Sequence, residues 1–139
     1  MYLLDTNVVS ELRKGRTGKI DRYVKAWSKS VPVASLFLSA ISILEIEMGI
    51  LLIERRDRTQ GMLLRAWLEE HVLPAFDGRI LAVDTAVARR CAALHVPDRC
   101  SDRDALIAAT ALGHGMTVVT RNVRDFEDTG VAVLDPWKG

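Results

Sequence analysis

The stretch Tyr2-Leu3-Leu4-Asp5-Thr6-Asn7 contains the transition on which the fold depends. Three apolar residues that suit a buried strand are followed at once by side chains that cap helices. We therefore predict a strand at Tyr2–Leu4 and a short helix from Val8 to Lys14. A strand that passes directly into a helix is the building unit of α/β proteins.

The same alternation continues along the 139-residue chain. Short apolar runs predict strands, and apolar residues at three- and four-residue spacing predict the helices between them. Because the strands are continuously apolar, they indicate a parallel sheet that is buried on both faces. The expected fold class is α/β, in one domain spanning residues 1–139. The further strands are predicted at 36–38, 79–83, 117–120 and 131–134, and the further helices at 20–27, 42–55, 59–72, 85–96 and 104–114.

The composition is that of an ordinary globular protein, with 49% hydrophobic and 27% charged residues. These proportions exclude a disordered chain and a bare coiled coil. No apolar run reaches the roughly 18 residues of a membrane span, and Asp5 stands where a signal peptide would be basic or apolar. We therefore expect a cytoplasmic protein. Cys91 and Cys100 fit no C-x-x-C pattern and are expected to be free thiols.

Acidic residues lie where the predicted strands end and the helices begin. Asp5 follows the first strand and Asp125 the fourth, whereas Glu45 and Asp104 lie near helix starts. Ligands of open parallel sheets bind beyond the carboxyl ends of the strands. We therefore expect these four carboxylates to converge at one edge of the sheet.

Each acid also has a purely structural interpretation. Ser42-x-x-Glu45 and Ser101-x-x-Asp104 both match a capping box, Asp5 suits a helix N-cap, and Asp125 suits a turn. For Glu45 this interpretation is weakened by its helix, because Ile41–Ile53 is apolar on nearly every face and is predicted to be buried. A carboxylate inside such a helix needs a partner, since an unpaired buried charge is very costly.

Converging carboxylates repel one another unless a cation lies among them. Oxygen ligands favour a hard ion, Mg²⁺ or Mn²⁺, and Asp5 and Asp104 are its predicted ligands. Such a site supports phosphate chemistry, because the ion lowers the pKa of a bound water and stabilises charge on the phosphate. Asn7, Thr120 and Asn122 follow the same strands and are predicted to support the carboxylates.

Basic residues are concentrated near the N-terminus. Residues 13–29 contain seven basic side chains and one acid, a charge of +6, which leaves −5 for the remainder of a chain of net charge +1. A solvated helix face is one interpretation of this run. The other is a surface that contacts phosphates, with Arg13, Lys14 and Arg16 as the predicted nucleic-acid contacts.

The segments that contain these acids, together with the last strand, resemble segments of PIN-domain ribonucleases. The resemblance is specifically to the VapC toxins of type II toxin–antitoxin systems and their FitB-like branch. The matching segments follow the family's order and span nearly the whole chain. They are Leu3–Glu11, Leu38–Gly49, Asp104–Ala111, Thr117–Phe126 and Val131–Trp137.

This resemblance implies a three-layer α/β/α PIN-like fold with a mostly parallel sheet. It further implies a Mg²⁺- or Mn²⁺-dependent endoribonuclease that cleaves RNA with a metal-activated water and is neutralised by a small VapB-like antitoxin. The family also forms homodimers, and the apolar stripe of Tyr23 and Trp27 is the predicted contact between the two copies.

By resemblance, Asp5, Glu45 and Asp104 correspond to the first three acids of the family's catalytic site. The fourth position is open between Asn122, which directly follows Thr-Arg, and Asp125, three residues further on. An asparagine orients a water or ligand by hydrogen bonds but supplies no charge. Asp125 is therefore included as the fourth predicted catalytic residue.

Other functions also agree with part of the pattern. A phosphatase of the aspartyl-phosphate kind would use Asp5, but it needs a second acid two residues on, where Asn7 stands. A degenerate PIN-like domain that binds RNA or protein without cleavage is the principal alternative to the ribonuclease. Asn122 favours that alternative, whereas the intact first three acids oppose it.

Overall fold

A computed structural model describes the whole chain, residues 1–139, as five strands and seven helices. Short 3₁₀ turns connect several of these elements. The elements in chain order are β1 (Tyr2–Leu4), α1 (Thr6–Arg13), α2 (Arg22–Ser30), β2 (Leu36–Ser39), α3 (Ala40–Glu54), α4 (Arg58–Trp67), α5 (Leu73–Ala75), β3 (Ile80–Leu81), α6 (Thr85–Leu94), α7 (Asp102–His114), β4 (Thr117–Val119) and β5 (Val133–Leu134).

The five strands form one sheet in the order β3-β2-β1-β4-β5, and every pair is parallel. Tyr2 pairs with Leu36 on one side of β1, and Leu4 pairs with Val119 on the other. The chain builds outward from β1 to β3 and then returns to place β4 against the free side of β1. A crevice therefore opens beyond the carboxyl ends of β1 and β4, where doubly wound sheets bind ligands.

Successive residues of β1 face opposite sides of the sheet. Leu4 belongs to a buried cluster that includes Val8 of α1 and Ile46 of α3. Leu3 belongs to a second cluster with Ile107 of α7. A smaller cluster joins α6 to the outer side of α7. Helices thus cover both faces, and the predicted α/β/α fold class with a parallel sheet is confirmed.

The start of α3 differs from the prediction. Ser39, not Ser42, caps this helix, because its hydroxyl oxygen accepts a hydrogen bond of 3.0 Å from the Ile41 backbone N–H. Ser42 lies inside the first turn, and its buried hydroxyl has no hydrogen-bond partner. The capping box predicted for Ser42 and Glu45 is therefore wrong, and Glu45 has no role in capping this helix.

The second predicted capping box is also incomplete. Helix α7 begins at Asp102, two residues before the predicted start, and the Ser101 side chain makes no capping hydrogen bond. The predicted helix 59–72 is α-helical only to Trp67 and continues as one π-helical turn over Leu68–Val72. These differences shift helix boundaries without changing the order of the elements.

Burial of α3 is only partial, contrary to the prediction. Ile46 and Ile50 face the sheet and are buried. The opposite side of the helix is open to solvent, because α3 covers the sheet with one face and its neighbours α1, α4 and α7 leave the outer face uncovered. Exposed apolar side chains of α3 are Leu44, Met48, Leu51 and Leu52.

Trp27 of α2 packs within its own chain. Its ring meets that of Tyr2 edge-on, with 5.4 Å between centroids and an interplanar angle of 88°, and it contacts the cluster around Leu4. Trp27 is thus only partly buried and Tyr23 is 41% exposed, so the contact of this stripe with a second copy stays a prediction. Cys91 and Cys100 are free thiols. None of the helices combines the length and apolar character needed to cross a membrane.

Candidate active site

The crevice between β1 and β4 places Asp5 at the centre of the candidate site. Asp5 is the residue after β1 and the N-cap of α1, and its side-chain Oδ1 accepts a hydrogen bond of 2.8 Å from the Thr6 backbone N–H. Its own backbone N–H donates to the Val119 carbonyl oxygen at 2.9 Å. Only 7% of Asp5 is exposed, and the residue is fixed between the end of β1, the start of α1 and the end of β4.

Donors from the ends of both strands surround the second carboxylate oxygen of Asp5. The buried Thr120 hydroxyl donates to Asp5 Oδ2 at 2.8 Å. Asn7 Nδ2 lies 3.3 Å from the same oxygen and 3.2 Å from Thr120 Oγ1. The backbone N–H groups of Asn122 and Arg121 donate to Thr120 Oγ1 and Asn7 Oδ1, at 3.0 and 3.2 Å. This network fixes the orientation of Asp5.

Glu45 reaches the same crevice from α3. The Thr6 hydroxyl donates to Glu45 Oε1 at 2.7 Å, and Arg103 Nη1 lies 3.6 Å from Glu45 Oε2. Thr6 therefore links Glu45 to the Asp5 turn, while Arg103 links it to the start of α7. The structure supplies the partner that a carboxylate on this apolar helix requires.

The pKa values of Asp5 and Asp104 show that the four carboxylates share one electrostatic environment. Burial is the main cause that raises the pKa of Asp5; the Thr120 and Thr6 hydrogen bonds oppose it, and the charges of Glu45 and Asp125 add to it. Burial also raises the pKa of Asp104, followed by the charges of the other three acids. The structure thus brings together Asp5, Glu45, Asp104 and Asp125.

Asp125 and Asn122 lie on the segment that follows β4. Asn122 is exposed and is tied to the site through its backbone N–H. Asp125 is also exposed, and its charge raises the pKa of both Asp5 and Asp104. The negative charge at this side of the crevice therefore comes from Asp125, and the neutral Asn122 contributes backbone positioning.

The donor chemistry of the crevice fits a hard divalent cation. All candidate ligands are carboxylate oxygens, and their mutual repulsion favours a cation among them. No three His, Cys, Asp or Glu side chains form a complete set of metal ligands. Mg²⁺ suits such a site, because it keeps several waters and takes only one or two protein carboxylates. Asp5 and Asp104 fit as ligands of a hydrated ion.

Each of the three predicted nucleic-acid contacts already has a partner within the chain. The Arg13 guanidinium lies 5.8 Å from the centre of the Trp67 ring. Lys14 Nζ pairs with Glu11 at 3.1 Å, and Arg16 Nη2 is 2.7 Å from His71 Nδ1. Arg13 also lines a groove of about 230 Å³ that begins at Thr6 and Glu45.

Two residues that position Glu45 are missing from the sequence prediction. Thr6 appeared only as a helix-capping side chain, although it directly follows Asp5. Arg103 gave no signal, because its contact with Glu45 joins positions 58 residues apart in sequence. Contacts between the starts of separate helices depend on the sheet topology, and the spacing of residues along the chain does not predict them.

The fold is that of a known class of protein. The sequence profile of the PIN domain family matches residues 2–132, and the chain belongs to that family. It is 37% identical over 143 aligned residues to the VapC ribonuclease Y4jK of Sinorhizobium fredii, which covers 99% of both chains.

Solved structures agree with this assignment. The chain is similar to the crystal structure of FitAcB from Neisseria gonorrhoeae, with a TM-score of 0.88, 36% identity and 99% of both chains covered. It is also similar to a chain in a toxin-antitoxin complex from Klebsiella pneumoniae, with a TM-score of 0.66, 28% identity and 98% of both chains covered.

Proposed function

We propose that residues 1–139 form a single PIN domain that acts as a Mg²⁺- or Mn²⁺-dependent endoribonuclease, the toxin of a toxin–antitoxin pair. The observation that carries this proposal is the cluster of four carboxylates at the β1–β4 crevice, where burial and mutual charge raise the pKa of Asp5 and Asp104. Similarity to a VapC ribonuclease and to a toxin–antitoxin complex supports it.

In this proposal Asp5 and Asp104 hold the cation, and Glu45 and Asp125 complete the acidic pocket. When bound, the ion lowers the pKa of a water ligand and stabilises charge that develops on the phosphate. Thr120 and Asn7 keep Asp5 in its orientation.

Glu45 is proposed to orient the attacking water. The Thr6 hydroxyl donates to Glu45 Oε1, and we assign Oε2, which also faces Arg103, as the oxygen that accepts a hydrogen bond from that water. The nearby Arg103, whose Nη1 lies 3.6 Å from Glu45 Oε2, helps to fix the direction of this carboxylate.

Removal of divalent ions tests the reaction directly. We expect the purified chain to cleave structured RNA with Mg²⁺ or Mn²⁺. In EDTA the cleavage rate should fall by a factor of at least about 100. Gel analysis of labelled RNA measures the rate, with excess Mg²⁺ added back as the control. Undiminished cleavage in EDTA would refute the mechanism, and RNA binding without cleavage in either ion would favour the degenerate binding domain.

The basic residues beside the groove are proposed to contact RNA. Replacement of Arg13, Lys14 and Arg16 by Gln should weaken RNA binding and flatten its salt dependence by about 0.7 log units of affinity per log unit of salt for each lost contact on a single strand. Fluorescence anisotropy at several salt concentrations measures both. Metal binding should be unchanged, because these side chains lie outside the ligand set.

The same triple variant separates RNA from the proposed antitoxin. The groove from Glu45 to Trp67 is partly apolar and would accept an apolar antitoxin tail that ends at the acidic pocket. If RNA affinity and its salt slope stay unchanged while antitoxin affinity drops, these three residues contact the protein partner and not the substrate.

A homodimer is proposed to bury the exposed apolar side of α3. Leu44 is 48% and Leu51 is 51% exposed, and contiguous apolar surface of this kind marks interaction sites. We expect sedimentation equilibrium at micromolar concentration to give twice the 15.4 kDa chain mass. Leu51→Glu should weaken association at least about tenfold, since it places a charge in the interface.

The exposed Val96 supplies the matched control for this experiment. It is 75% exposed and lies on the loop between α6 and α7, away from α3. Val96→Glu should leave the dimer intact. A 15.4 kDa species alone for the unmodified chain would contradict the proposed dimer.

A further inference from the structure

A second cleft adjoins the acidic site at the carboxyl ends of β4 and β5. Its volume is about 380 Å³, and its wall includes Asn122 and Asp125. Thr120, which hydrogen-bonds Asp5, donates its backbone N–H to the Leu134 carbonyl oxygen of β5. The cleft is therefore a direct continuation of the crevice that holds the four carboxylates.

Three cations line this cleft and remain unpaired. Arg121, Arg124 and Lys138 take part in none of the chain's ion pairs. Asp135 lines the same cleft, but its Oδ1 accepts a hydrogen bond of 2.9 Å from the Trp137 backbone N–H. Three cations against the carboxylates of Asp125 and Asp135 leave the lining with an excess of one positive charge, which favours an anion.

Arg121 is held at the entrance to the cleft. Its backbone N–H donates to Asn7 Oδ1 at 3.2 Å, and its guanidinium lies 5.2 Å from the centre of the Trp137 ring. Stacking on an aromatic ring leaves the guanidinium N–H groups free to contact an anion in the ring plane. Arg121 is thus placed between the acidic site and the rest of the cleft.

We propose that this cleft binds a backbone phosphate of the RNA strand next to the phosphate that is cleaved. The inference rests on the proposed ribonuclease function and adds a phosphate subsite to it. A strand that places one phosphate among four carboxylates must carry its neighbouring phosphate out of an acidic region. Arg121, Arg124 and Lys138 supply the charge that neutralises it, and guanidinium groups bind phosphate oxygens in pairs.

An acidic peptide is the competing occupant. RNA is favoured because the cleft opens into the acidic site itself, where the proposed reaction places a phosphate of the same strand. A nucleic-acid strand crosses both regions with a phosphate in each. The two occupants predict different behaviour of the same variants.

The test compares two double variants, each in an Asp5→Asn background that prevents cleavage. Arg124→Gln with Lys138→Gln removes two cations of the cleft, and Arg89→Gln with Arg90→Gln removes two exposed cations of α6 as the control. Binding of a short fluorescein-labelled single-stranded RNA is measured by anisotropy over a range of salt. We expect the cleft variant to lose at least about tenfold in affinity and about 1.4 from its salt slope, and the control to lose neither.

A salt slope equal to that of the control would overturn the phosphate subsite. Loss of binding to a polyglutamate peptide with unchanged RNA binding would overturn it as well, in favour of a protein partner. Cleavage by the unmodified chain is measured on the same RNA with Mg²⁺. If that cleavage is absent while the cleft variant still loses RNA affinity, the proposed reaction is wrong and the phosphate subsite stands.

Discussion

Asp5→Asn is expected to abolish RNA cleavage and to raise the melting temperature of the metal-free protein. Activity should fall by at least about 10²-fold, because the change removes one of two proposed metal ligands. Folding should be retained, since asparagine has nearly the same volume and its amide oxygen still accepts the capping hydrogen bond from the Thr6 backbone N–H. Gel cleavage assays and thermal unfolding in EDTA measure the two effects.

The rise in melting temperature follows from the raised pKa of Asp5. Burial and the neighbouring charges raise the folded-state pKa above the ordinary value of 3.8. Ionised Asp5 therefore destabilises the folded state, and this loss of stability develops as the pH rises from the unfolded-state pKa through the folded-state pKa. The variant should melt at a higher temperature than the unmodified chain at pH 7 and show no such advantage below pH 3.8.

Asp77→Asn provides a control with the same change of charge. Asp77 is exposed and lies between α5 and β3, outside the crevice. This variant should retain full activity and an unchanged melting temperature. An Asp5→Asn protein that melts lower than the unmodified chain in EDTA would contradict the claim that ionised Asp5 destabilises the folded state.

The centre of the site could be predicted from the sequence because its residues directly follow the ends of strands. Asp5 follows β1 and Thr120 follows β4, and parallel strands bring such positions to one edge of a sheet. The hydrogen bond between these side chains, 115 residues apart, is a consequence of that topology. The alternation of strands and helices was therefore sufficient to predict both the fold class and the neighbourhood of these residues.

Features that depend on packing were predicted less well. Ser39 and Ser42 are both able to cap α3, and only the end of β2 determines that Ser39 does so. The exposed side of α3 was predicted to be buried, because apolar composition does not distinguish the chain's own core from an interface with another chain. Thr6 and Arg103 lie at the starts of two other helices and contact Glu45. The spacing of residues along the chain does not predict those contacts.

Phe126→Ala is expected to destabilise the protein by about 3–5 kcal/mol, the usual loss for deleting a buried phenyl ring. Phe126 is 1% exposed and packs in the cluster of Leu3, Ile107 and Val118. Phe126→Leu should lose only about 1 kcal/mol, since leucine refills most of the space. Urea unfolding measures both losses. An unchanged slope of the unfolding free energy against urea concentration would show that the substitutions leave the unfolded state the same.

This ring also anchors the candidate site, because it lies on the segment that carries Asp125. Val123–Thr129 is a 3₁₀ helix without a side-chain cap, and its two buried residues, Phe126 and Thr129, anchor it to the rest of the fold. At a temperature where both variants remain folded, Phe126→Ala should cleave RNA at least about tenfold more slowly than Phe126→Leu, since small displacements of catalytic groups reduce rates strongly. Equal rates for the two folded variants would mean that Asp125 keeps its position without the ring and that the exposed carboxylate, not its anchoring, sets the activity.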